Sequence, residues 1–209
     1  MLPYLFYALL GFLSGSILYS ALLPRWLRGI DIVAGSDDHN PGAANAFLLA
    51  GPQVGVLCVL CDLAKGFLPV FWAASRLPTQ ERLLFSLVLA APVLGHAFSP
   101  WRQGRGGKAI TASFGALLGL LPGSLVVFWL AALYLFFSLI AVIPDHRLRT
   151  LATFSLFTGG SFLLCPNKCI AAGCTLISAA VIFRHLSGAP HLRQERLKKA
   201  FARGYSVEK

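Results

Sequence analysis

An all-α protein that crosses a membrane about seven times is the fold class this sequence predicts, and three observations predict it. Hydrophobic residues make up 56% of the 209, mean hydropathy is +0.71 and only 12% are charged, about half the charged share of an ordinary soluble domain. Apolar residues also come in long runs, such as Gly123 to Ile143, close to the ~20 residues that cross hydrocarbon at ~1.5 Å per residue. Finally, lysine and arginine fall predominantly on one side of those runs, as cytoplasmic loops do.

Runs bounded by charge or by Pro/Gly clusters place spans at 3–23, 51–75, 83–99, 109–121, 123–143, 151–165 and 169–186. The first run carries no basic segment ahead of it and reads as a retained span rather than a cleaved signal. The fourth and sixth, of thirteen and fifteen residues, are short, so they tilt little, thin the bilayer or begin below its surface. Six or eight spans are compatible with the same pattern. Residues 1–190 form a single transmembrane domain and 191–209 a basic cytoplasmic tail.

The basic residues set the orientation. With the N-terminus outside, the inner segments carry Arg25, Arg28, Arg102, Arg105, Lys108, Arg147, Arg149, Arg184, Arg193, Arg196, Lys198, Lys199, Arg203 and Lys209, fourteen in all. The outer loops carry only Arg76, Arg82 and Lys168, and Lys65 lies within a span. The C-terminus is then cytoplasmic. The same division puts His39, His96, His146, His185 and His191 at the cytoplasmic side, which the charge rule does not require and which suggests a polar site there.

Other features are absorbed by topology. The net charge of +10 is spread over loops beside spans, so no nucleic-acid partner is expected. The tail Arg193 to Lys199 reads as a basic segment on anionic lipid headgroups. Five cysteines, Cys58, Cys61, Cys165, Cys169 and Cys174, lie in or beside apolar runs. They behave as small hydrophobes, and neither a disulfide framework nor a metal site is expected. Gly11/Gly15, Gly51/Gly55 and Gly115/Gly119 have the small-xxx-small spacing that lets helix backbones approach closely in lipid.

Three polar segments stand out. Gly35 to Asn45 (Gly-Ser-Asp-Asp-His-Asn-Pro-Gly-Ala-Ala-Asn) is either a cradle for an anion or a solvated Asx/Gly turn. Gly95 to Lys108 ends in Gly106-Gly107-Lys108 and runs into the fourth span. Glycines that admit close approach, an ammonium and free N–H groups at a helix start suit phosphate, although basic residues that merely stop a span look alike. Ala109 follows the lysine, so the segment lacks the Walker pattern of nucleotide hydrolases. Asp62 and Lys65 lie one turn apart inside the second span, where unpaired charge is costly. They form an ion pair, structural or lining a site.

Read in order, the segments resemble the PlsY-type acyl-phosphate glycerol-3-phosphate acyltransferases over nearly the whole chain. The resemblance runs through Gly15-Ser16-Ile17, Gly29-Ile30-Asp31-Ile32, Asn40-Pro41-Gly42-Ala43-x-Asn45 and Asp62-x-x-Lys65-Gly66. It continues with Gly95-His96-x-Phe98, Arg105-Gly106-Gly107-Lys108, Ser113-Phe114-Gly115 and Arg184-His185. It implies a seven-helix monomer in the bacterial inner membrane with a cytoplasmic active site. The implied reaction moves a fatty acyl group from acyl phosphate to the 1-hydroxyl of glycerol 3-phosphate, without metal, cofactor or acyl-enzyme. Membrane lipids are the surrounding partners. His185, Ser36 and Lys108 take the catalytic places, and Asn40, Gly42, Asn45, His96, Gly106, Gly107 and Thr150 the substrate-binding ones. Two phosphate-bearing substrates need cationic and N–H donors, and an imidazole can orient or deprotonate a hydroxyl.

The chain also departs from the pattern. The family reads Gly-Ser-Gly-Asn-Pro-Gly where this chain has Gly35-Ser36-Asp37-Asp38-His39-Asn40-Pro41-Gly42, two residues longer with two added acids that repel phosphate. A family arginine is replaced by Leu48, a family asparagine by Gly188 and a serine by Thr150. A scaffold that binds lipid phosphates or a partner enzyme with weakened catalysis is the alternative, and a small transporter using Asp62 and Lys65 a third.

Overall fold

The computed structural model describes residues 1–80 and 83–187. Arg82, Gly188, His191 and the expected basic tail 191–209, with its Arg193 to Lys199 segment, lie outside the described residues.

Among the described residues the elements are all helical: α1 (Leu2–Ser16), α2 (Tyr19–Arg28), α3 (Ile32–Gly35), α4 (Ala43–Ala50) and α5 (Pro52–Ala74), then α6 (Leu84–Ala97), α7 (Ile110–Leu118), α8 (Val126–Leu135), α9 (His146–Leu164) and α10 (Lys168–Ser187). A 3₁₀ turn at Pro100–Arg102 follows α6, and α8 runs on into a π turn at Phe136–Ile140. Four stretches are long and apolar enough to cross a bilayer: Leu2–Arg28, Pro52–Ala74, Leu84–Arg102 and Lys168–Ser187. The other expected spans coincide with shorter or more polar elements. α7 has nine residues, α8 ten, and the first turn of α9 holds His146, Arg147 and Arg149.

The chain departs from the expected first span, 3–23, at Ile17. There the backbone turns extended (φ −73°, ψ 116°), ending α1 and starting the amphipathic α2 at Tyr19. Nothing in the apolar run marks this break; the Ile17 carbonyl there accepts from Lys65 Nζ at 2.6 Å. The segment between the first two long spans is also helical in part. Asp31 caps α3 by accepting N–H bonds from Val33 and Ala34 at 3.0 and 3.1 Å, and Gly51, at φ 90°, makes the left-handed junction from α4 to α5. Trp26, near the end of α2, and Trp101, in the turn after α6, are 72% and 71% exposed, as interfacial anchors are.

α6 is the hub, packed against α1, α7 and α10, while α5 packs on α7, and α10 also on α9. Glycine sets two of these contacts. An added Cβ at Gly15 would fall on the Pro92 carbonyl, and one at Gly95 on the Phe12 carbonyl, so α1 and α6 meet backbone to backbone. Gly66, Gly115 and Gly119 do the same between α5 and α7. Gly55 instead leaves room for the Phe47 ring of α4. In lipid such close approach supplies the dispersion and packing that the hydrophobic effect supplies in water. Phe85, Leu89, Leu117, Leu130, Phe154 and Ile177 fill the interior. All five cysteines carry free thiols. This is a multi-pass membrane protein, helical throughout its described residues.

Candidate active site

Two loops and the ends of two helices meet at the end of the bundle where Lys108 lies. In the first loop, Asp38 is the centre of a hydrogen-bonded knot. Its Oδ2 lies 2.8 Å from Lys108 Nζ, and its Oδ1 accepts from Asn45 Nδ2 at 2.8 Å and from the Asn40 N–H at 3.2 Å. Asn45 Nδ2 also donates to the Asn40 carbonyl at 2.8 Å. Partial burial pushes the Asp38 carboxyl up, but hydrogen bonds from Lys108 and Asn45 outweigh it and hold it below the ordinary value. The turn before Asn40 is fixed by His39, at φ 49°, whose Nδ1–H donates to the Val33 carbonyl at 2.8 Å. Ser36 Oγ is buried with no hydrogen-bond partner among the described residues.

The second loop owes its shape to its glycines. Gly107 N–H donates to the His96 carbonyl at 3.0 Å, and a Cβ at Gly106 would strike that same carbonyl, one at Gly107 the His96 imidazole. Arg184 of α10 donates to the Gly106 carbonyl. So His96 and Arg184 clamp the loop that delivers Lys108, and Gly106 and Gly107 are needed at least for that packing. Gly42 likewise sits against the Asn40 side-chain amide at the start of α4.

His185 stands in the last turn of α10, buried. Its Nδ1–H donates to the Val181 carbonyl at 2.8 Å. That bond fixes the tautomer of the neutral ring and leaves Nε2, buried and unpartnered among the described residues, as the acceptor nitrogen. The His146 ring lies 5.9 Å away, centroid to centroid. His146 Nδ1 accepts from Arg149 at 3.1 Å. Thr150 Oγ1 is buried and donates to the His146 carbonyl at 2.8 Å while Tyr134 Oη lies 3.3 Å from it.

Asp62 and Lys65 form a buried ion pair at 2.8 Å. Ser20 Oγ donates to Asp62 Oδ2 at 2.7 Å and Lys65 reaches the Ile17 carbonyl, so the pair ties α5 to the break between α1 and α2. Leu48 is 81% exposed on α4. A separate cavity of about 570 Å³ opens between α1, α2 and the 3₁₀ turn, beside Arg25, Asp31 and Arg102. Another of about 470 Å³, near Thr79, Trp129 and Asn167, is lined by no His, Lys, Arg, Asp or Glu among the described residues.

A family profile described as Glycerol-3-phosphate acyltransferase matches residues 5–195. The chain belongs to the glycerol-3-phosphate acyltransferase family. A Glycerol-3-phosphate acyltransferase of Myxococcus xanthus is 36% identical over 177 residues, 85% of this chain and 89% of the relative. One of Pseudoalteromonas translucida is 33% identical over 187 residues, 88% and 86% of the two chains. In fold, the chain is similar to two crystal structures of PlsY (YgiH), an integral membrane glycerol 3-phosphate acyltransferase. The glycerol 3-phosphate form superposes with a TM-score of 0.77 and the lysophosphatidic acid form with 0.75, each at 23% identity and covering 92% of this chain and 93% of the other.

Within this acyltransferase, the structure joins Asn40, Asn45 and Lys108 through Asp38, and sets His185 beside His146. It sets Asp62 and Lys65 apart, in a knot with Ser20 and Ile17. Sequence reasoning missed Asp38 as a ligand of Lys108, and His146, Arg149 and Tyr134 as neighbours of the site. His146 carried a signal, since the sequence groups it with the other histidines on the side expected to be cytoplasmic. Asp38 carried a misleading one: its charge reads as repulsion toward phosphate, whereas in the structure it meets an ammonium.

Proposed function

We propose that this chain transfers a fatty acyl group from acyl phosphate to the 1-hydroxyl of glycerol 3-phosphate, giving lysophosphatidate and inorganic phosphate. It works as a monomer with seven spans, N-terminus outside, at the cytoplasmic face of the bacterial inner membrane. Family membership supports the reaction class, and the sidedness of lysine and arginine supports the orientation. The observation that carries the reading is His185: a buried imidazole with Nδ1 tied to Val181, Nε2 without a partner among the described residues, and the His146 ring 5.9 Å away.

The chemistry follows from those groups. The acceptor hydroxyl oxygen attacks the acyl carbonyl carbon, its proton passes to His185 Nε2, and the bond from acyl carbon to phosphate oxygen breaks. Phosphate leaves with the electron pair, its charge met by Lys108 and by Asn45. Ser36 Oγ, buried and unpartnered, is a donor for a substrate phosphate. Phosphate is already a good leaving group, so positioning and charge stabilisation supply most of the rate.

Purified protein in detergent, given acyl phosphate and glycerol 3-phosphate, is expected to release phosphate and form lysophosphatidate. It should also rescue a strain that lacks its own acyl-phosphate acyltransferase. Turnover should vanish in Lys108→Ala. Absence of turnover with any glycerol-phosphate acceptor refutes the reading. Binding of acyl phosphate without turnover would favour the second reading, a catalytically weakened paralogue, which Leu48 and the Asp38–Lys108 pair motivate.

A further inference from the structure

The two-residue extension in the first loop puts a carboxylate where the proposed reaction needs a phosphate. Asp38 presents one oxygen to Lys108 Nζ at 2.8 Å and the other to Asn45 Nδ2 at 2.8 Å. A phosphate bound by the same ammonium and amide would present two oxygens in the same way. The Asp38 backbone lies in a turn held independently of Lys108, through the His39 contact to Val33 and the His39 N–H bond to the Ser36 carbonyl at 3.2 Å. The pair is also open to exchange, because Lys108 and Asp38 side chains are 30% and 31% exposed. A soluble anion can therefore reach the ammonium that the carboxylate holds.

From this geometry we infer that Asp38 is an internal competitive ligand, a carboxylate that holds Lys108 and Asn45 until a phosphate group displaces it and takes them back when phosphate leaves. The inference rests on the reading that Lys108 and Asn45 receive a phosphate group. It adds two things to it. Binding is an exchange of one anion for another, so the affinity for any phosphate ligand of Lys108 is lowered by the strength of the Asp38 contact. Release is assisted for the same reason: inorganic phosphate, the leaving product, is replaced at its two donors by a group already in place. Asp38 thus sets substrate affinity and product inhibition together, while a substrate that has displaced it reacts as it would without it.

The test uses the full chain in detergent and measures binding of inorganic phosphate with no substrate present, by calorimetry or thermal stabilisation. Asp38→Asn keeps the size of the side chain and removes the charge. It should bind inorganic phosphate roughly two- to fivefold more tightly than wild type, the factor expected from losing one partly exposed ion pair. Asp37→Asn removes an equal charge from the neighbouring exposed residue and should shift phosphate affinity far less. In a Lys108→Ala background, Asp38→Asn should have no effect on phosphate binding. In turnover assays, Asp38→Asn should lower the inhibition constant of phosphate by the same factor as its dissociation constant. Equal shifts in Asp37→Asn and Asp38→Asn would reduce the effect to general charge and overturn the inference, as would unchanged or weaker phosphate binding in Asp38→Asn. Tighter phosphate binding in Asp38→Asn, together with a wild type that makes no lysophosphatidate, would sustain the inference and refute the proposed reaction.

Discussion

Lys65 and Asp62 face each other at 2.8 Å in the buried part of α5, and the same Lys65 ammonium donates to the carbonyl of Ile17, where α1 breaks from α2. The ion pair therefore holds a neighbouring backbone as well as itself. Removing one partner strands a buried charge, a cost of about 3–5 kcal/mol. Lys65→Met and Asp62→Asn are each expected to lower the thermal midpoint sharply in detergent, and the double variant to recover part of the loss. A double variant no better than the worse single one would refute mutual compensation.

Ser20→Ala tests the outer edge of that knot. It leaves Asp62 Oδ2 without the hydrogen bond it accepts at 2.7 Å, which should cost about 1–3 kcal/mol. Thermal unfolding beside wild type reads it directly. An unchanged midpoint would mean that Ser20 bears no part of the knot.

His185→Gln is expected to lower kcat by about 10²- to 10⁴-fold with a smaller change in KM, as loss of a general base does. The acidic limb of the wild-type rate profile, where the imidazole takes up a proton, should disappear with it. Retention of that limb in His185→Gln would assign the titration to another group.

The glycines of the second loop make a paired prediction. Gly107→Ala places a methyl on the His96 imidazole, a side chain that can be removed, whereas Gly106→Ala places it on backbone carbonyls. Each should cost roughly 1–3 kcal/mol as overpacking. His96→Ala should rescue the stability of Gly107→Ala and leave Gly106→Ala unrescued. Gly159→Ala in α9, where an added Cβ meets nothing within 4 Å, should be neutral or stabilising by up to about 1 kcal/mol.

Acid should undo the Asp38 contact. The carboxyl is held below its ordinary value of 3.8, so the stability it adds is complete above that value and is lost as pH falls through the lowered one. Because the pair is about one-third exposed, the contribution is under about 1 kcal/mol. The difference in thermal midpoint between wild type and Asp38→Asn should be constant near neutral pH and vanish in acid. A difference that grows in acid would contradict the sign.

The helical framework was legible because lipid imposes long apolar runs, and the ends of α5 and α10 fall within a residue or two of the expected spans. α3 and α4 were not, since helices of four and eight residues offer too little periodicity to read. Nor was the break at Ile17, whose carbonyl is taken up by Lys65, 48 positions along the chain. That Asn45 and Lys108 come together was legible from residue type and order. The place of Asp38 was not, because sequence gives the sign of a charge and not the direction in which its loop folds.

The reciprocal seating of Gly15 against Pro92 and Gly95 against Phe12 bears on motion. Two helices keyed into each other's backbones cannot slide or roll past one another without lifting apart, so α1 and α6 move as one body.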